Sequence, residues 1–131
     1  MDLSLDLPGD FLYVRRVDAT TVTVADRTLE RSFLLTPERL IEDWPPVDAT
    51  GLRAEDAEPL LALAPDVVVL GSGAMQRFPP AAFLAAFLRR GIGVEVMDNG
   101  AAARTYDLLA GERRRVLAAF ILPAAASGHA D

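Results

Sequence analysis

The chain predicts an α/β fold: a compact three-layer single domain with a mixed central β-sheet, its N-terminal antiparallel meander followed by βαβαβ. Three observations carry that expectation. Val67, Val68, Val69 and Leu70 form an apolar run with no polar residue alternating, the pattern of a strand covered on both faces. After it, two further strand-like segments are separated by stretches with helix start and stop signals, as parallel βαβ units require. Before it, residues 11–35 are rich in β-branched and aromatic residues broken by short polar turns, which suits antiparallel strands.

In order, residues 11–17 (FLYVRRV), 20–25 and 28–35 (TLERSFLL) read as the three strands of the meander, with Asp18-Ala19 and Asp26-Arg27 at the turns. Residues 36–46 (TPERLIEDWPP) are a connector with proline near both ends. Pro45 and Pro46 bias Trp44 toward extended geometry, and Trp44 is expected as a plug over the core edge. Residues 52–63 read as a short helix with Glu55, Asp56 and Glu58 early in it, where the helix dipole favours acids.

The strand at 67–70 stops at Gly71-Ser72-Gly73. Residues 79–90 (PPAAFLAAFLRR) then have proline at the start, Arg89 and Arg90 at the end and Gly91 just beyond, the signals of a complete helix. Phe83, Leu84, Phe87 and Leu88 are expected to share its buried face. Residues 94–97 are the next strand. Asp98 or Asn99 caps a helix over 101–110, Gly111 ends it, and 116–122 is the last strand before Pro123. The domain is expected over 1–122, with 123–131 as a loose tail.

Composition excludes several kinds of chemistry. The 131 residues include 51% hydrophobic side chains, so a packed core is expected rather than disorder. A net charge of −6 argues against non-specific nucleic-acid binding and against anionic membranes, both of which need basic surface. There is no cysteine, hence no disulfide, thiolate nucleophile or Cys-type zinc site. All 13 basic residues are arginine, which removes a Schiff-base amine and the P-loop lysine. The single histidine, His129, lies in the tail, out of reach of a triad or a multi-histidine metal site. Residues 1–7 carry Asp2 and Asp6 and no basic residue, unlike a presequence. The longest apolar run, 79–88, is too short to span a bilayer. A cytoplasmic protein without direct membrane insertion is the expectation.

Parallel βαβ units place their βα connections at the carboxyl end of the sheet, where ligands bind. Two such connections are expected, at 71–78 and 98–100. Gly71, Ser72, Gly73, Gln76 and Arg77 from the first, with Asp98, Arg104, Thr105 and Tyr106 from the second, are the candidate binding residues. Helix N-termini beside arginines would favour an anion or a carboxylate. The plainer alternative is that Arg77 and Arg104 pair with Asp98 or Asp107 and pin the loops.

Cofactor motifs fail on the residues themselves. Gln76 stands where a dinucleotide fingerprint has its third glycine, and no Walker lysine exists. No cofactor and no metal are expected. Glu95 and Asp98 flank a strand end without a supporting base, and Glu112–Arg115 (ERRR) reads as a solvated turn. The first connection is itself unusual. It spans about ten residues before the helix is established, against roughly 2–6 for ordinary βα connections. It carries Met75, Gln76, Arg77 and Phe78 in succession, a mixture suited to a contact surface, unless Met75 and Phe78 tuck into the core.

PDVVVLGSGAMQRFPP from Pro65, then RRGIGVEVMDNGAAARTYDLLAGERRRVLAAFIL, with SFLLTPERLIEDWPP before them, resemble the DUF498-type family, which includes a mitochondrial complex I assembly factor. The resemblance covers residues 11–122 and implies a three-layer fold with a mixed sheet. It also implies an assembly or interaction protein with a protein partner and no accepted catalytic reaction. The family's Gly-Thr-Gly is Gly71-Ser72-Gly73 here, and its Thr-Tyr-Asn is Thr105-Tyr106-Asp107, which exchanges an amide for a carboxylate. The leading reading is a non-enzymatic interaction protein. The alternative is a small-molecule or anion-binding module in the crevice between the two connections, and an enzyme running on Ser, Thr, Tyr, Arg and carboxylates comes last.

Overall fold

The computed structural model of the chain describes residues 11–124; the first ten residues and the tail from Ala125 onward, His129 included, lie outside them. β1 (Val14–Val17), β2 (Val22–Val24) and β3 (Arg27–Leu29) form a small antiparallel sheet in that order. Val22 and Val24 are buried, while Thr23 between them turns outward with its hydroxyl 3.0 Å from that of Thr28. Alternation along β2 gives this sheet one dry face and one wet face, while β1 breaks register between Val14 and Arg16. The β2–β3 turn is tight, and Ala25 takes φ 52° in it, the positive φ that short hairpins need.

The expected third strand, residues 28–35, is two strands in two sheets. β3 ends at Leu29, and the chain re-enters regular structure as β4 (Phe33–Leu35) in the main sheet. All three residues of β4 are buried, whereas β3 buries only Leu29. One segment cannot serve a wet-faced sheet and a fully covered one. Ser32 makes the corner: it is 2% exposed, and its Oγ accepts from Leu122 N–H at 2.9 Å.

The main sheet has the order β5-β4-β8-β6-β7, with β5 at Leu40–Ile41, β6 at Val67–Gly71, β7 at Gly93–Met97 and β8 at Val116–Phe120. β6 runs parallel to both β7 and β8, and β4 runs antiparallel to β8, so the sheet is mixed. Alternate residues of the interior strands feed two separate cores. Val69, Ala118 and Phe120 face α3 (Asn99–Gly111) and the dry face of the small sheet. Val68, Leu70, Leu117 and Ala119 face α1 (Glu58–Leu61) and α2 (Ala81–Leu88). The result is three layers around a mixed sheet.

Two helices depart from their expected forms. Residues 52–63 hold a 3-10 turn at Ala54–Ala57 and only the short α1. Pro59 has no N–H to donate to Glu55 O, which accepts instead from Glu58 N–H in 3-10 fashion. In α2, Phe83 and Phe87 are fully buried and stack edge-on at 5.2 Å. Leu88, expected on the same face, is 68% exposed. It lies about 100° further round than Phe87, past the stripe that the sheet covers. Trp44 is buried at the core edge, and its indole N–H points to Asp56 O at 3.4 Å.

The chain leaves β6 through α2 to reach the outer strand β7, then returns through α3 to β8 on the opposite face. The connections after β6 and β7 therefore depart to opposite sides, which creates a switch point between their carboxyl ends. Val68 is fully buried on β6. Val68→Asp would place a carboxylate there with no partner, so we expect severe destabilisation, several kcal/mol in order of magnitude. A melting temperature within a degree or two of wild type would contradict this placement.

Candidate functional site

At the switch point the polar groups bond to one another. Asn99, 2% exposed, opens α3 and bridges both connections: its Oδ1 accepts from Gly73 N–H at 3.1 Å and its Nδ2 donates to Ile121 O at 3.0 Å. Its own N–H donates to Gly73 O at 2.8 Å. Ile121 N–H donates to Gly71 O at 2.9 Å, which continues the β6–β8 ladder past the strand end. Ser72 is 4% exposed; its hydroxyl donates to Met75 O at 2.9 Å and accepts from Arg77 N–H at 2.8 Å. Gln76 reaches the outer edge of the sheet, where its Nε2 donates to Val96 O at 2.9 Å and so blunts edge strand β7. Asp98 caps α3, its carboxylate accepting from Ala101 N–H at 2.9 Å.

Glycine is required at 71. A Cβ there would stand 3.0 Å from Phe120 Cδ1 and 3.2 Å from Ala102 Cβ, besides meeting the Asn99 amide oxygen. Gly73 has φ +119°, a conformation that other residues resist.

The remaining candidates divide. Arg77 and Arg104 are exposed, and among the described residues neither pairs with Asp98 or Asp107. Arg104 folds back along α3, with Nη1 3.6 Å from where a side chain on Gly100 would begin. Arg77 lies toward Asp48. The Asp48 carboxyl is held below its ordinary range mainly by the Thr50 N–H and hydroxyl, both at 2.9 Å, with a smaller contribution from the Arg77 charge. Thr105 is turned inward, its hydroxyl 3.3 Å from Met97 Sδ. Tyr106 is not at the crevice. It lies two turns along α3, fully buried, and its hydroxyl donates to Leu12 O at 2.7 Å. Burial foremost, then the Asp107 and Glu38 charges, pushes the Tyr106 hydroxyl far above its ordinary pKa.

On the outside of this closed end, Met75 is 65% and Phe78 61% exposed. Neither tucks into the core. Val47, next to Asp48 in the chain, is also exposed.

The opposite end of the sheet is open. A cleft of about 800 Å³ lies beside the last turn of α3, lined by Phe11, Tyr13, Glu38 and Asp107 together with Arg113 and Arg114. Asp107 Oδ1 accepts from Val14 N–H at 2.9 Å. Burial raises the Asp107 carboxyl to about 6, and the Val14 hydrogen bond opposes that only in part. In the sequence Asp107 stands out as the exchanged third residue of Thr-Tyr-Asn and as a possible partner for Arg77 or Arg104. Its partner strand lies 93 residues away in the chain, so periodicity gave no sign of a cleft. Among the described residues no three His, Cys, Asp or Glu side chains are grouped to hold a metal ion.

Comparison with known proteins places this geometry. The family model for a protein of unknown function, DUF498/DUF598, matches residues 14–121. The chain belongs to this family. A similar protein of known structure is the Xanthomonas campestris protein XCC1710, solved by NMR, which is 43% identical. The match covers 93% of this chain and 92% of that one, with a TM-score of 0.80. The NADH dehydrogenase [ubiquinone] 1 alpha subcomplex assembly factor 3 of Danio rerio is 42% identical over 62 residues, 47% of this chain and 36% of that protein. The 13 kDa major membrane protein of Francisella tularensis is 29% identical over 69 residues, 53% of this chain and 56% of that one. The chain therefore matches between about a third and just over half of the length of these curated relatives. Among the described residues no helix is long and apolar enough to cross a membrane.

Two predictions come from these contacts. Asn99→Ala would leave a half-buried Gly73 N–H and a buried Ile121 O without their side-chain partner, at a cost of roughly 1–3 kcal/mol. Chemical denaturation measures it, and a loss below about 0.5 kcal/mol would show that the bridge is incidental. The second concerns Asp107. Its folded pKa of about 6 lies above the ordinary carboxyl value of about 3.9, so its contribution to stability is full at low pH. That contribution is lost as pH rises through the folded value. Asp107→Asn keeps an acceptor for Val14 and removes the charge. The variant should therefore melt higher than wild type at pH 7.5 and about level with it at pH 4. Parallel melting curves at both pH values would refute this.

Proposed function

We propose that the protein is a non-enzymatic interaction protein of assembly type that docks a protein partner on residues 72–80. The observation behind this is the contrast within that loop. Its backbone is tied by Ser72, Gln76 and Asn99, while Met75 and Phe78 stand in solvent. Exposed apolar side chains on a fixed backbone lose little conformational freedom on binding, which is what favours a preorganised contact. Arg77 beside them and Arg104 above α3 suit a partner surface that is apolar at its centre and acidic at its rim. The Danio rerio relative is named as an assembly factor, which supports the same reading.

The geometry weighs against a small anion in the crevice, the alternative reading. The amides of Gly73 and Arg77 are already engaged, and the Asp98 carboxylate sits at the start of α3, where it would repel an anion. We place the protein in the cytoplasm as part of this proposal. Since one relative carries "membrane protein" in its name, cell fractionation is the measurement that decides location.

The test is affinity capture from the native host with three baits: wild type, Met75→Ser/Phe78→Ser, and Leu88→Ser. Leu88 is an equally exposed apolar residue on α2 and serves as the control. All three should melt within a degree or two of one another. The double variant should lose the partner that wild type and Leu88→Ser retain. Retention by the double variant would remove the loop from the account.

A further inference from the structure

The cleft at the other end of the sheet stands apart from the docking loop, and its lining carries charge of both signs. Part of that lining is acidic and aromatic. The Asp107 carboxylate is partly buried, has one oxygen on Val14 N–H, and finds no cationic partner among the described residues. Glu38 lines the same cleft. Phe11 and Tyr13 meet there nearly at right angles, 79° with ring centroids 6.4 Å apart, so their faces form a corner. Carboxylates with aromatic faces suit an organic cation.

Other lining residues are basic. Arg113 and Arg114 follow the end of α3 and line the same cleft, both exposed and neither ion-paired among the described residues. Arg113 holds φ 63°, a left-handed conformation that is uncommon outside glycine. Arg115 is different: its guanidinium donates to Ala64 O at 2.7 Å, and it serves the fold. A purely cationic ligand would be repelled by this rim, and a purely anionic one by Asp107 and Glu38.

We propose that this cleft binds a small amphoteric molecule, its protonated amine against Asp107 and the Phe11–Tyr13 corner and its acid group on Arg113 and Arg114. The helix sets the spacing. Asp107 to Gly111 is one turn of α3, about 6 Å at 1.5 Å per residue, and the arginines lie just beyond. A ligand with its charges about 6–9 Å apart matches that backbone spacing, and the cleft volume of about 800 Å³ leaves room for a larger body between them.

The experiment is an amide NMR titration of the full chain with three probes: 5-aminopentanoate, pentylamine and pentanoate. 5-Aminopentanoate should saturably shift the amides of Val14, Gly111, Arg113 and Arg114. It should bind about tenfold or more tighter than either single-charge probe, a difference of about 1.4 kcal/mol. Asp107→Asn should abolish that advantage, and so should Arg113→Ala/Arg114→Ala, whose changes lie in an exposed turn. Circular dichroism confirms that each variant is folded. The proposal is overturned by an absence of saturable shifts at these amides in the millimolar range. Pentylamine or pentanoate binding as tightly as the amino acid would overturn it too, as would either variant retaining full affinity.

Discussion

Asn99 holds the carboxyl end of the sheet closed, and the shape of that end depends on it. One oxygen and one nitrogen of a single amide reach Gly73 N–H on the loop after β6 and Ile121 O at the end of β8. The Ile121 contact is buried and the Gly73 contact half-buried, and an amide left there without partners would cost on the order of 1–3 kcal/mol. The loop cannot swing away without exposing that deficit. Gly71 is the complement of this arrangement, since any side chain there would collide with the amide and with Phe120.

This explains how a connection well beyond ordinary length stays ordered. Ordering costs roughly 1–2 kcal/mol per residue in backbone entropy, and in residues 72–80 it is offset by hydrogen bonds from Ser72, Gln76 and Asn99. Those bonds use the polar side chains and leave the apolar ones outside. The same economy limits the chemistry at this end: the groups that would have met a ligand are spent on the fold. At the amino end the balance is reversed. There Asp107, Glu38, Arg113 and Arg114 surround open space, and charge is left available.

The sequence was most legible where burial alone decides. Val67 to Leu70 read as a covered strand because both of its faces are apolar, and β6 lies between β7 and β8 with core on each side. The helix signals at Pro79-Pro80 and at Asp98 held for the same local reason. Legibility failed where a decision depends on a distant partner. The break between β3 and β4 turns on Ser32, whose bond to Leu122 spans 90 residues. Leu88 shares apolar character with Phe87 but not its neighbours. Topology brings Gly71, Ser72, Gly73, Gln76 and Asp98 to one end of the sheet, but their hydrogen-bond partners, Ile121, Met75, Asn99, Val96 and Ala101 among them, follow from the folded chain and not from spacing. Tyr106 was misplaced because its helix runs on to the far end of the molecule.

The central claim is that residues 72–80 form a fixed platform rather than a mobile loop, and backbone ¹⁵N relaxation on the full chain measures this directly. The account predicts order parameters for Gly73, Met75, Arg77 and Phe78 of about 0.85, level with β6 and α3, together with slow exchange of the Gly73 and Arg77 amides. Values below about 0.6 across the loop would contradict it. The exposure of Met75 and Phe78 would then reflect a segment that samples many positions, with no prepared surface to dock on.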